Sequence, residues 1–233
     1  MKTYSSKAEA AHRIAERAPQ LLRTKNTPLD FRLYLITNRK LFSAQCSMYF
    51  ALETALEAGV RCIQLRERDL SGRELLDMAV WIRDLTREYR ARLFINDRVD
   101  IALSVDADGV HLGQHSMPVR AARKIAGDRL LIGVSTHRID EAEGAERDGA
   151  DFITFGPVFK TASKEKYGKP LGTEIISEIK SRTSLPVFAI GGITPDRAEE
   201  VRDAGADGIA LISAILTSAD IRKTTKEFLK VLK

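Results

Sequence analysis

Three segments of the chain share one junction. "EAGVRCIQ", "RDGADFIT" and "DAGADGIA" each lead from a helical stretch through a glycine (Gly59, Gly149, Gly205) into an aliphatic or β-branched run. Glycine tolerates the left-handed stop of a helix, and loops this short are normal where helices alternate with parallel strands. A unit that recurs along a chain constrains its architecture more than any single motif does.

The rest of the sequence follows the same alternation. Strand-like runs are "LYLIT" (33–37), "VRCIQL" (60–65), "LFI" (93–95), "GVHL" (109–112), "LLIGV" (130–134), "DFITF" (151–155), "PVFAI" (186–190) and "GIALI" (208–212). Amphipathic stretches separate them. The clearest, "SGRELLDMAVWIRDLTREY", sets Leu75, Ala79, Ile82, Leu85 and Tyr89 on one face, with a Ser71/Glu74 capping box at its start. Another is predicted to open with Thr194 as N-cap and Pro195 at its first position, and to stop before Gly205. Eight strand–helix units over residues 29–233 predict an α/β fold, a (β/α)8 TIM barrel. The alternative is a doubly wound open sheet, but no G-x-G-x-x-G follows the first strand. Residues 1–28 read as an N-terminal extension, helical over Ala8–Leu22 until "RTKNTP" breaks the pattern.

Composition narrows the class of protein. Hydrophobic residues are 44% and charged residues 30% of the 233, as in soluble globular chains. No run approaches the roughly 18 apolar residues of a membrane span. The polar N-terminus lacks a signal-peptide core, and Cys46 and Cys62 show neither metal nor disulfide spacing. A cytoplasmic protein with no membrane partner is therefore expected. The net charge of +5 suits an anionic small substrate at least as well as nucleic acid. A homo-oligomer is left open.

In such a barrel, chemistry belongs at the C-terminal ends of the strands. Polar residues gather there. Gln64, Arg66 and Arg68 alternate at the end of the second strand, and Asn96 and Asp97 follow the third. His111 ends the fourth, before "GQHSMP". Ser135, Thr136 and His137 end the fifth, and "GPVFKTASKEKYGKP" follows the sixth. Asp97 is readable as a metal ligand or as the cap of a helix starting near Arg98. His111 and His137 are each readable as structural. "KTASKEKYGK" is readable as a solvated loop or as a cationic lid. "AIGGIT" places Gly191 and Gly192 after the seventh strand, and Ser213 follows the eighth. Loops there commonly hold phosphate, through backbone amides and a helix N-terminus. The residues alone predict a phosphate-ligand barrel enzyme, with two arginines, Lys164 and Asp97 pointing to a second anionic group such as a diphosphate with Mg2+.

"QLRER", "INDRVDIAL", "ADGVHLGQ", "GVSTH", "GPVFKT" and "AIGGIT", in this order, resemble the thiamine phosphate synthase family over about residues 31–230. That superfamily also holds a thiazole tautomerase. The resemblance implies that a pyrimidine methyl diphosphate loses diphosphate to give a cation, which the nitrogen of a thiazole ethyl phosphate captures. It implies that Gln64, Arg66, Arg68 and Asn96 hold the pyrimidine diphosphate, and that Asp97 binds Mg2+. Ser135 and Lys164 would contact the same substrate, while Thr161, Ser163, Gly192, Ile212 and Ser213 would lie on the thiazole phosphate side. Arg66, Ser135 and Lys164 are the catalytic candidates. For the tautomerase, the matching proton-transfer residue would be His137. Two positions depart from the family pattern. Arg68 stands where lysine is usual, and Ser116 stands where a second metal-binding acid is usual. A non-catalytic phosphate-binding barrel is a third reading.

Overall fold

The computed structural model describes residues 29–161 and 170–233. The predicted N-terminal extension lies outside them. Eight strands follow one another around the barrel: β1 (Leu33–Ile36), β2 (Cys62–Leu65), β3 (Arg92–Asn96), β4 (Gly109–Leu112), β5 (Leu131–Thr136), β6 (Phe152–Phe155), β7 (Val187–Ile190) and β8 (Gly208–Leu211). Each pairs in parallel with its sequence neighbour, and β1 closes on β8 through Leu33, Tyr34 and Leu35 opposite Ile209, Ala210 and Leu211. The open sheet is thereby excluded. Gly59, Gly149 and Gly205 all take positive φ, as their shared junction predicts.

The helices are α1 (Gln45–Glu57), α2 (Gly72–Glu88), α3 (Val99–Ser104), α4 (Val119–Ala126), α5 (Ile139–Arg147), α6 (Glu174–Arg182), α7 (Ala198–Asp203), α8 (Ser213–Leu216) and α9 (Ile221–Val231). The capping box of α2 is formed. Ser71 Oγ accepts the Glu74 N–H, and Glu74 Oε2 accepts the Ser71 N–H. Leu75, Ala79, Ile82 and Leu85 are buried on its inner face, and Tyr89 packs at its end. The helix predicted after Thr194 begins differently. Pro195–Arg197 form a 3-10 turn before α7, and the Thr194 side chain accepts no capping hydrogen bond.

Strand side chains alternate between the helices outside and the bore inside. The bore is packed with rings: Phe31, Tyr34, Phe94, Phe152 and Phe188 form one buried cluster. Most of their contacts are edge-on, such as Phe94–Phe152 at 5.4 Å between centroids and 89° between planes. Glycine makes room for these rings. A Cβ at Gly109 would lie 2.2 Å from Phe94, one at Gly133 2.4 Å from Phe152, and one at Gly208 2.4 Å from Phe188. Strand glycines that would otherwise weaken a sheet here mark close approach of a neighbouring side chain.

Candidate active site

The C-terminal half of the bore is polar. Gln64 Nε2 donates to the Tyr34 hydroxyl at 2.9 Å, and that hydroxyl lies 3.4 Å from His111 Nδ1. His111 Nε2 lies 3.0 Å from Ser135 Oγ and 3.5 Å from Thr154 Oγ1. One network therefore runs across β1, β2, β4, β5 and β6. Burial pushes the Tyr34 hydroxyl well above its ordinary pKa, so it stays protonated. Gly133 also serves His111, because a Cβ there would lie 2.7 Å from Nδ1. Gln64 and Ser135 were expected at the site. Tyr34 was not, since nothing in "LYLIT" shows which way its side chains face.

Asn96 is the last residue of β3 rather than the first beyond it. Asp97 follows in the left-handed region, at φ 63°. Of the two readings of Asp97, the cap fails. Arg98 is the N-cap of α3, and no side chain caps that helix. The Asp97 carboxylate instead accepts Asn96 Nδ2 at 2.7 Å and the hydroxyl of Ser116. Ser116 Oγ also accepts the Gly113 N–H at 2.6 Å. Non-glycine residues in this conformation are uncommon and often functional, with aspartate among those that tolerate it best.

Arg66 and Arg68 lie in the turn after β2, which ends at Leu65, so strand alternation does not itself orient them. Arg68 crosses toward β4, and its guanidinium lies 3.4 Å from the Cβ position of Gly113, a point 3.7 Å from Ser116 Oγ. Arg68, Asp97 and Ser116 thus share one corner of the mouth. Among the described residues there is no group of three or more His, Cys, Asp or Glu side chains able to hold a metal. One carboxylate and one hydroxyl nonetheless fit Mg2+ that arrives with a substrate diphosphate, because this ion keeps water and phosphate oxygens among its ligands.

The other side of the mouth is built from backbone. Ile190 stands opposite Ala210, which brings the Gly191–Gly192 turn beside Ile212 and Ser213. Gly192 has φ 65°, and a Cβ there would lie 2.5 Å from the Lys160 carbonyl oxygen and 2.8 Å from Phe159 Cβ. Phe159 donates its N–H to Gly191 O at 3.0 Å. The glycines are therefore required by the loop after β6 as well as available to a ligand. Ile212 packs on the aromatic cluster, and Ser213 opens α8 at an exposed position. Thr161, half-buried, ends the described part of the loop. Ser163 and Lys164 lie outside the described residues.

His137 Nδ1 meets the Gly156 carbonyl oxygen, and the His137 backbone N–H donates to Glu141 Oε2 at 2.7 Å. Glu67, missed in the sequence, is a buried carboxylate between the two arginines.

This arrangement can hold two anionic groups, one beside side-chain cations and one against backbone amides. The family model described as thiamine monophosphate synthase matches residues 33–215. The chain belongs to that family. A thiamine-phosphate synthase of Halalkalibacterium halodurans is 44% identical over 87% of this chain and 96% of its own length. One from Chloroflexus aurantiacus is 43% identical, over 85% and 91%. The solved thiamine phosphate pyrophosphorylase of Pyrococcus furiosus superposes with a TM-score of 0.78 at 42% identity, over 87% of this chain and 95% of its own. A 3-hexulose-6-phosphate synthase structure, 17% identical with a TM-score of 0.68, shares the fold.

Proposed function

We propose that the chain is the transferase its family is named for, joining a pyrimidine methyl diphosphate to a thiazole phosphate to give thiamine phosphate and diphosphate. The observation that carries this reading is the corner where Arg68 meets the Asp97–Ser116 pair, at the same mouth as the Gly192/Ser213 turn. Diphosphate leaves as negative charge builds on its oxygens, so cations fixed in advance lower the barrier. Arg66 and Arg68 supply that charge, together with Lys164. Asp97 would hold Mg2+, with Ser116 beside it, and the ion would neutralise the leaving group. Gln64, Asn96 and Ser135 line the polar bore and orient the pyrimidine, while Thr161, Ser163, Gly192, Ile212 and Ser213 receive the thiazole phosphate.

The tautomerase reading would need His137 for proton transfer. What favours the synthase is that the named relatives are synthases. Small phosphorylated substrates in the cytoplasm fit the proposal, with no nucleic acid or membrane partner. No described helix is long and apolar enough to cross a membrane. The test is direct. The purified protein with both substrates and Mg2+ should release thiamine phosphate and diphosphate in equal amounts, and excess EDTA should stop it. Thiazole isomerisation that survives EDTA, without synthesis, would move the assignment to the tautomerase.

A further inference from the structure

The turn that carries Arg66 and Arg68 is anchored from beneath by its middle residue. Glu67 is 5% exposed, although it stands between a half-buried Arg66 and an exposed Arg68. Thr37, fully buried just past β1, donates its hydroxyl to Glu67 Oε1 at 2.7 Å and accepts the backbone N–H of Arg66 at 2.9 Å. The backbone N–H of Arg39 donates to the same Oε1 at 2.9 Å, and Arg39 Nε stands 3.8 Å from Oε2. Asp69 occupies the far end of Arg39 at 2.9 Å and also meets Lys40 at 3.1 Å. A buried carboxylate is costly unless it is hydrogen-bonded and paired. Burial does push the Glu67 carboxyl above its ordinary pKa, against the opposing pull of Thr37 and Arg39. An apolar residue would serve stability at least as well, so the position points to a task other than stability.

The bonds from Thr37 and Arg39 tie both the Glu67 carboxylate and the Arg66 backbone N–H to the segment after β1, and from that anchored turn Arg68 reaches across to Gly113. We propose that Thr37 and Glu67 are positioning residues, a hydroxyl–carboxylate clamp that holds the Arg66–Arg68 turn in the geometry that receives diphosphate. The inference rests on the synthase reading for the identity of that anion. Its physical content is preorganisation. Two long cationic side chains on a loose turn would have to be ordered at binding, and a turn tied at Thr37 has met that cost in folding.

The test is calorimetric titration of the full chain with inorganic diphosphate and Mg2+, alongside steady-state kinetics. Thr37→Val keeps the shape and removes the bridging hydroxyl. It should weaken diphosphate binding tenfold or more and raise KM for the pyrimidine diphosphate, with KM for the thiazole phosphate unchanged. Thr37→Ser and Glu67→Gln keep the bridge and should stay within about threefold of wild type. The sign of the stability change is distinctive. A carboxyl whose folded pKa is raised loses stability as pH rises through that pKa, so the neutral amide of Glu67→Gln should unfold no earlier than wild type at pH 7. If Thr37→Val fails to fold, Glu67→Ala should show the same selective loss. Unchanged diphosphate binding, or both KM values rising together as stability falls, overturns the clamp alone. No diphosphate binding by the wild type overturns the synthase reading and the clamp together.

Discussion

Along four strands the inward side chain changes character over a single pleat. Phe94 gives way to Asn96, Gly109 to His111, Gly133 to Ser135 and Phe152 to Thr154, each time toward the C-terminal end. One end of the bore is rings packed against glycine. The other is a hydrogen-bonded chain from Gln64 through Tyr34 and His111 to Ser135. The two ends are under different physical demands. Rings bury large apolar area and need nothing beyond complementary shape. Buried polar groups must all find partners, and they add little net stability for the constraint. The polar end is therefore costly scaffold, a cost that the proposed substrate site above it accounts for.

The largest effect expected from breaking this contrast is at the aromatic end. Phe188→Ala removes a ring that is 1% exposed and packs against Phe31, Tyr34 and Phe152. It should destabilise the barrel by about 3–5 kcal/mol, the usual range for a buried phenylalanine. Turnover per folded molecule at low temperature should change little. Chemical denaturation and an assay on one sample check both, and a variant as stable as wild type would contradict this division of the bore.

Asp97→Asn should do the reverse. Asparagine tolerates positive φ at least as well as aspartate, whereas alanine would add roughly 1–2 kcal/mol of backbone strain. The amide oxygen can still accept the Ser116 hydroxyl, while the Asn96 side-chain amide must turn over so that its oxygen accepts the new amide N–H. Turnover should fall about 100-fold, roughly 2.7 kcal/mol of transition-state stabilisation. Stability should move by under about 1 kcal/mol, because α3 has no side-chain cap to lose. A stability loss with turnover preserved would return Asp97 to a structural role.

The two ends also differ in how far the sequence reveals them. All eight strands were legible, because αβ junctions with glycine and short aliphatic runs are local signals. The residues at strand ends were legible as a set, since the fold sends every C-terminus to one mouth. Individual roles were not. Whether Asp97 capped α3 turned on one φ angle and on a serine 19 positions away. Parallel strands are buried on both faces, so "LYLIT" gave no hint that Tyr34 and not Leu33 faces the bore. Glu67 read as one more charge in "QLRER", and only the approach of Thr37 and Arg39 shows it to be buried. Ser163 and Lys164 lie outside the described residues.

The smallest effect expected, and the sharpest test of the polar corner, is at Ser116. Its hydroxyl donates to Asp97 and accepts from Gly113, so it satisfies the carboxylate in the absence of metal. Ser116→Asp replaces that donor with a second acid, which can neither donate to Asp97 nor sit beside it without repulsion. The metal-free protein should lose about 1.5 kcal/mol of stability, the low end for a hydrogen bond to a charged group. A divalent cation between two carboxylates should reverse that loss, since whatever binds only the folded state stabilises it. Mn2+ alone, followed by electron paramagnetic resonance without substrate, should therefore bind the variant about tenfold more tightly, or roughly 1.4 kcal/mol. The Mg2+ concentration for half-maximal rate should fall with it. If neither Mn2+ affinity nor the Mg2+ requirement moves, Asp97 and Ser116 do not form a metal corner, and the leaving diphosphate is stabilised by the arginines without them.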